Sequence, residues 1–438
     1  MQVHPAYAFG PFALDPAGRS LTLHGVPVSL RPKTFELLEC FLERAGRVVS
    51  KHELIAALWP DGDVTEQNLT QQVFLLRSAL SEHAPRQAFV LTEPGRGYRF
   101  VAPVDVRPAR DVPHSDLQRL YLRGRYHWEK RTRTGLSEAQ ACFERAIAID
   151  PNCAPALSGL ASTYMLRGEF LHEHSERAFP AARRTALRSL ELDPVQPEAL
   201  TVLGDVALFY DRDGEAAERY FDEALAIDGR YRTARLFHAW LCLAQGRFAQ
   251  SRLELETVLG DAPYDLPLQT ALGVLSMYET DVDEAIAQLR FVLALEPTFH
   301  LATFYLAGAL ALSARYEESL AVLDTDDTGE LQQGNAAIGA FAAYRIGDLE
   351  RGRAYERIVD ESAARGEQIS AFNRAQILLG KRDLTGALST IAAAASTHDP
   401  WLVFIPEHPL FGGELRADPR YPRTMERISL NRRPAYGT

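Results

Sequence analysis

From Ala6 to Leu30 apolar residues fall at every second position, in "YAFGPFALD" and then "SLTLHGVPVSL", with breaks at Pro16-Ala17-Gly18 and at Gly25. Alternation of this kind sends successive side chains to opposite faces of an extended chain, and predicts a small antiparallel sheet of three or four short strands. The period then lengthens. In "RPKTFELLECFLERAG" the residues Phe35, Leu38, Phe41 and Leu42 share one helical face, and Gly46 closes the run. "SKHELIAALWP" opens on Ser50 with Glu53 three places on, the spacing of a capping box, and stops at Pro60. A third helix is expected over 64–82, with Thr65 as N-cap and Leu69, Val73, Leu76 and Leu80 facing inward. Two apolar strands, "AFVLT" and "YRFVAPV", follow around a tight glycine turn.

Strands, three helices and a closing hairpin make an α+β winged helix-turn-helix. Leu14-Asp15, the pair Phe35 and Leu38, "GRVVSKHEL", Trp59, "LLRSAL" and "GRGYRF" occur in order along residues 6–104. On these marks the segment resembles the DNA-binding domain of the OmpR/PhoB family, and "NLTQQV" is similar to its ToxR/CadC branch. The stretch "TEPGRGYRFVA" (92–102) is then a wing. A dinucleotide loop needs a preceding strand, a following helix and a third glycine, whereas here a strand follows. Gly95 and Gly97 let the hairpin turn tightly, and Arg96 between them points outward, where it can enter a narrow minor groove.

In such a fold the third helix lies in the major groove. With its leucines and Val73 turned inward, the opposite stripe is Gln67, Thr70, Gln71, Phe74 and Ser78. Glutamine can read adenine bidentately, and Phe74 could touch a thymine methyl. The resemblance implies that Arg77 reaches a backbone phosphate; its alternative is an ion pair with a nearby carboxylate. Asn68 could also meet a phosphate at the helix start, where backbone N–H groups favour anions. Arg31, Lys33, Lys51 and Arg99 are further phosphate candidates. PhoB-like relatives carry basic residues near 74–75, where this chain has Phe74-Leu75, an apolar patch that could instead face a second subunit.

After Pro108 the pattern changes to helices at a fixed period. Helix-pair endings recur as "AIAIDP" (to Pro151), "SLELDP" (to Pro194), "ALAIDG" (to Gly229), "VLGDAP" (to Pro263) and "VLALEP" (to Pro297), separated by 43, 35, 34 and 34 residues. A period of 34 is that of tetratricopeptide repeats, two antiparallel helices per unit, and implies an all-α solenoid of about seven units. Small residues (Gly204, Ala217, Gly273, Ala285) stand where paired helices approach closely, and Phe143, Phe221 and Leu289 fill the interface. The 43-residue spacing holds an insert around 167–179. Continuing the period places joints near Leu331, Arg365 and Pro400, with "GDLERGRAYERIV" and "RDLTGALSTI" as second helices. "WLVFIPEHPLF" (401–411) is expected to pack the last helices, and "DPRYPRTMERISL" to form a terminal cap. The expected organisation is a winged-helix domain over 1–105, a stiff linker over 106–115, the repeat array over 116–405 and a capping segment over 406–438. A winged helix ahead of "YLRGRYHWEKRT" and repeats resembles a class of bacterial regulators, here with neither a phosphoreceiver domain nor a membrane segment between the halves.

Charge changes this picture little. The chain is net −11, yet residues 1–105 hold 10 Lys and Arg against 11 Asp and Glu, so nearly all the acidity lies in the repeats. That balance permits DNA binding without signalling it. The basic stretch over 122–133 could add non-specific DNA affinity or complement the acidic repeats. Four scattered cysteines read as buried hydrophobes, without a disulfide framework or zinc spacing. "LHEHSE" (171–176) concentrates histidine and glutamate, but His at i and i+2 do not share a helix face, and a solvated loop is expected there with no metal. No catalytic motif or cofactor loop occurs. No signal peptide or apolar run of membrane length is present, so a cytoplasmic location is expected.

The sequence thus reads as a transcriptional regulator that binds double-stranded DNA, in pairs if half-sites demand a homodimer. Its solenoid would take a protein or peptide partner in its groove, with basic partners favoured by its charge. The alternative is a scaffold whose winged helix makes protein–protein contact, supported by the near-neutral first domain and by Phe74-Leu75.

Overall fold

The computed structural model describes residues 6–10, 12–16, 19–23, 26–28, 30–60, 64, 66–83, 89–107, 116–260, 262–324 and 332–430. The expected Thr65 cap, Gly25 and linker residues 108–115 lie outside them. The chain divides into two units, Met1–Gly159 with Ala294–Pro297, and Leu160–Leu293 with Thr298–Thr438.

In the first unit the alternating segment forms four strands, β1 (Ala6–Phe9), β2 (Phe12–Asp15), β3 (Ser20–Leu23) and β4 (Val26–Val28). Three helices follow, α1 (Pro32–Glu43), α2 (Lys51–Leu58) and α3 (Glu66–His83). Between and after them lie β5 (Val48–Val49), β6 (Val90–Glu93), β7 (Gly97–Phe100) and β8 (Val104–Arg107). One sheet has the order β4-β3-β2-β1-β8 and the other β5-β7-β6. Strand β8 pairs with β1 in the register Tyr7↔Val106, which carries the first sheet two residues beyond Asp105. Phe9 and Phe12 stack at 5.5 Å between ring centroids, and Phe100 meets Phe9 edge-on at 5.3 Å, so sheet and wing share one core. Leu37, outside the expected face of α1, is also fully buried because that helix packs on α3 as well as on strand β7. Ser50 and Glu53 make both bonds of the capping box.

A helix pair completes this unit: α4 (Asp116–Glu129) and α5 (Arg133–Ile149). Phe143 of α5 fills the space opposite Gly124, where a Cβ would come within 2.7 Å of its ring. The stretch over 122–133 is therefore largely structural. Its Tyr126 and Trp128 are buried, and Tyr126 packs against Phe35 of α1 at 6.1 Å.

The pairs continue as α6 (Ala154–Glu169) with α7 (Ser175–Leu192), α8 (Pro197–Val206) with α9 (Gly214–Ile227), and α10 (Arg232–Ala244) with α11 (Phe248–Leu259). Then come α12 (Leu266–Tyr278) with α13 (Val282–Leu295) and α14 (His300–Leu312) with α15 (Tyr316–Asp324). Two last pairs are α16 (Gln332–Ile346) with α17 (Leu349–Ala364) and α18 (Ala371–Gly380) with α19 (Leu384–Ala394). Eight pairs thus stand among the described residues, where the period suggests about seven. The second helices stop at Ile149, Leu192, Ile227, Leu259 and Leu295, each just before its expected joint. Close packing has the expected cause: a Cβ on Gly204 would lie 2.5 Å from the Phe221 ring, and one on Gly273 2.9 Å from Leu289.

The 43-residue spacing is absorbed by longer helices rather than by an exposed insert. Only 170–174 separate α6 from α7, and that turn is anchored, not a freely solvated loop. Glu173 pairs with Arg167 at 3.4 Å, the His172 ring lies 5.7 Å from Phe170, and His174 Nε2 is 2.6 Å from the Gly366 carbonyl oxygen. The segment 401–411 does more than pack the last helices. A short turn, Pro400–Phe404, reaches back across the first helices of earlier pairs. Trp401 Nε1 donates to the Glu169 carbonyl at 3.1 Å, and Phe404 meets Trp240 at 5.8 Å. Helix α20 (Pro409–Gly412) and a terminal helix α21 (Tyr421–Ile428), which buries Met425 and Ile428, end the described chain. No helix among the described residues is long and apolar enough to cross a membrane.

Candidate nucleic-acid interface

The inward face of α3 is as the pattern predicts, with Leu69, Val73, Leu76 and Leu80 at most 1% exposed. Gln72 joins them and accepts from the Thr34 hydroxyl at 2.9 Å, a buried bond that fixes the rotation of α3 against α1. That fixed rotation leaves Gln67, Thr70 and Phe74 outward, with Phe74 48% exposed and Gln71 half-buried at the edge. Asn68, by contrast, is buried, and its amide donates to the Ala294 carbonyl. The side chain of Ser78 lies outside the described residues.

The wing is tied to this helix by Arg77 and Tyr98. Arg77 Nε donates to the Val90 carbonyl at 3.0 Å, and its terminal nitrogen donates to the Thr92 hydroxyl at 2.9 Å. Neither partner is the carboxylate weighed from the sequence. The buried Tyr98 ring lies beneath, 5.9 Å from the guanidinium carbon, with its hydroxyl 3.4 Å from that of Thr70. Sequence reasoning gave Tyr98 and Gln72 no role; Tyr98 stands inside "GRGYRF", and alternation along β7 is the signal that turns it toward α3.

At the wing tip, Gly95 sits at φ +69 and Gly97 at φ +131. Gly97 has a second reason to be glycine: a Cβ there would lie 2.1 Å from the Val49 carbonyl oxygen, because β5 runs alongside. Arg96 between them is exposed, and its guanidinium has no hydrogen-bond or ion-pair partner among the described residues. Other cations among the described residues of the domain are engaged. Lys51 pairs with Glu66 at 2.5 Å, Arg99 with Glu93, and Lys33 with Glu36 at 3.2 Å while also donating to the Leu58 carbonyl at 2.6 Å. Arg31 is half-buried at the N-cap of α1. Exposed pairs of this kind contribute at most about 1 kcal/mol each, so a phosphate could displace the carboxylate at small cost.

Residues 25–100 match the family model "Transcriptional regulatory protein, C terminal", and residues 270–326 match "Tetratricopeptide repeat". The chain is 38% identical over 100 residues to the transcriptional regulator HilA of Salmonella typhi, covering 23% of this chain and 18% of that protein. It is 30% identical over 101 residues to the transcriptional activator CadC of Escherichia coli, covering 23% and 20%. The chain thus matches about a fifth of these relatives' own lengths. A solved human IFIT1 dimer shares the fold, with a TM-score of 0.51 and 14% identity, covering 91% of this chain and 95% of that one. Both matched families are non-catalytic. The chain therefore joins an OmpR/PhoB-type winged-helix DNA-binding domain of the transcriptional regulatory family to a tetratricopeptide-repeat region.

Proposed function

We propose that this chain is a sequence-specific regulator that binds double-stranded DNA with α3 in the major groove and the wing in the minor groove. Gln67, Thr70 and Gln71 face base edges, Phe74 meets a thymine methyl, and Ser78 continues that stripe. Arg31, Lys33, Lys51 and Arg99 contact phosphates, three of them by exchanging a carboxylate partner for one, while Arg77 holds the wing against α3; Asn68, buried on the Ala294 carbonyl, is not proposed as a contact. The observation that carries the reading is Arg96: an exposed, uncompensated guanidinium at the tip of a glycine turn, on the same domain as the outward row of α3. A cation held there has no intramolecular partner to give up, which suits it to the negative potential of a narrow minor groove. The repeat region acts as a sensing and protein-interaction arm, and two chains pair on adjacent half-sites.

In vitro selection of genomic fragments by the full chain tests this. Enrichment of one shared motif, reduced for Arg96→Ala, is expected; equal recovery of all fragments by both proteins overturns it. The exposed Phe74 supports a second reading, a scaffold that uses α3 against another protein. Under that reading Phe74→Ala abolishes a protein complex and no fragment is enriched.

A further inference from the structure

The second unit contains a pocket with about 600 Å³ of empty space, a figure that includes the open solvent at its mouth. Its wall comes from the first helices of five consecutive pairs, α10, α12, α14, α16 and α18, and its cover from the crossing segment around Trp401 and His408. Aromatic rings dominate, among them Trp240, Tyr278 and Tyr305, and no Asp, Glu, Lys or Arg lines it.

Polar groups in the wall have unused hydrogen-bonding capacity. Gln376 is 5% exposed, and its amide meets no hydrogen-bond partner among the described residues. His408 Nδ1 accepts the Leu410 N–H at 3.1 Å, which leaves the ring proton on Nε2 as a donor. Burial among rings pushes the His408 pKa down to about 3, so the imidazole is neutral. Tyr278 and Tyr305 also line the wall.

We propose that this pocket binds an uncharged aromatic small molecule carrying hydrogen-bonding groups, with its rings against Trp240 and Trp401 and a polar substituent on Gln376. Charge is selected against because a charged ligand would lose its hydration without meeting a counter-ion. The inference deepens the reading of the repeats as a sensing arm and rests on it for any consequence at DNA; the site itself does not depend on DNA binding.

Calorimetry of the full chain with β-naphthol, naphthalene and β-naphthoate tests it. β-Naphthol is expected to bind saturably, one per chain, with β-naphthoate at least about tenfold weaker. Gln376→Leu weakens β-naphthol by about tenfold, the loss of one hydrogen bond, and leaves naphthalene unchanged. Gly308→Leu is the independent variant. A Cβ at Gly308 meets only Ile338 Cδ1, at 3.8 Å, so the larger side chain enters the pocket and abolishes binding without lowering the melting temperature. Absence of saturable β-naphthol binding, or unchanged binding by Gly308→Leu, overturns the site, and equal affinity for β-naphthoate overturns the uncharged class. Saturable binding that leaves fragment enrichment on DNA unchanged establishes the site and overturns the sensing reading.

Discussion

Arg77 Nε lies 3.0 Å from the carbonyl oxygen of Val90, joining α3 to β6, the first strand of the wing. Together with the bond to Thr92, this makes Arg77 a positioning residue that fixes α3 and the wing, the two elements proposed to meet DNA, relative to each other. Arg77→Ala is expected to cost about 1–2 kcal/mol in unfolding free energy and to weaken DNA binding. Arg77→Lys keeps the charge but cannot reproduce the two-pronged geometry. If lysine restores DNA affinity fully, the positioning role is wrong and only the charge matters.

Gly97 is constrained by both its backbone and its neighbour. Gly97→Ala would bring a Cβ against the Val49 carbonyl at a φ of +131, so destabilisation of more than about 1 kcal/mol is expected. Gly95→Ala, with nothing within 4 Å of the added Cβ, meets only the conformational penalty and is expected to cost less. Denaturant unfolding of the two variants checks the order.

Tyr126 braces the winged helix with the first helix pair. The Arg19 guanidinium carbon lies 4.2 Å from the centre of its ring, and its hydroxyl donates to Glu36 at 3.2 Å while accepting from Arg19. Burial outweighs the lowering effect of Arg19 and, with Glu36 adding to it, pushes the phenol up to about 12, so it remains a donor. Tyr126→Phe removes the hydroxyl bonds at a cost of about 1 kcal/mol, and Tyr126→Ala costs about 3–5 kcal/mol. Thermal unfolding of the full chain followed by near-ultraviolet circular dichroism measures both.

His238 is buried in the repeats with Nε2 3.3 Å from Glu218 and Nδ1 3.3 Å from Glu254. Burial lowers its pKa, but Cys242, Glu218 and Glu254 outweigh that and raise it to about 11. A folded value above the unfolded one means that the stabilisation is complete below about pH 6.5 and is lost as pH rises toward 11. The melting-temperature gap between the wild type and His238→Gln is therefore expected to be larger at pH 6 than at pH 9. A gap that grows with pH contradicts the charged imidazole.

Local periodicity made much of this fold legible. Ser50 and Glu53 announced their capping box, the prolines and Gly229 marked the ends of second helices, and Gly204 opposite Phe221 followed from close helix packing. What was hidden depended on contacts far apart in sequence. Val48–Val49 is too short to show a period, and only its pairing with β7 makes it a strand. Asn68 reads as an exposed helix-start residue yet is buried, and Arg77 looked like a free phosphate ligand because its partners lie 13 and 15 residues away. The path of Trp401 back to Glu169 spans 232 residues and leaves no local signature.

The central claim is that the winged helix binds DNA with Arg96 contributing charge from the wing. The most direct measurement is fluorescence anisotropy of an enriched fragment across a salt series, for the full chain and for Arg96→Ala. The account predicts that log affinity falls linearly with log salt, and that Arg96→Ala binds more weakly with a slope reduced by about 1. Binding that is insensitive to salt, or a variant that matches the wild type in affinity and slope, would contradict it.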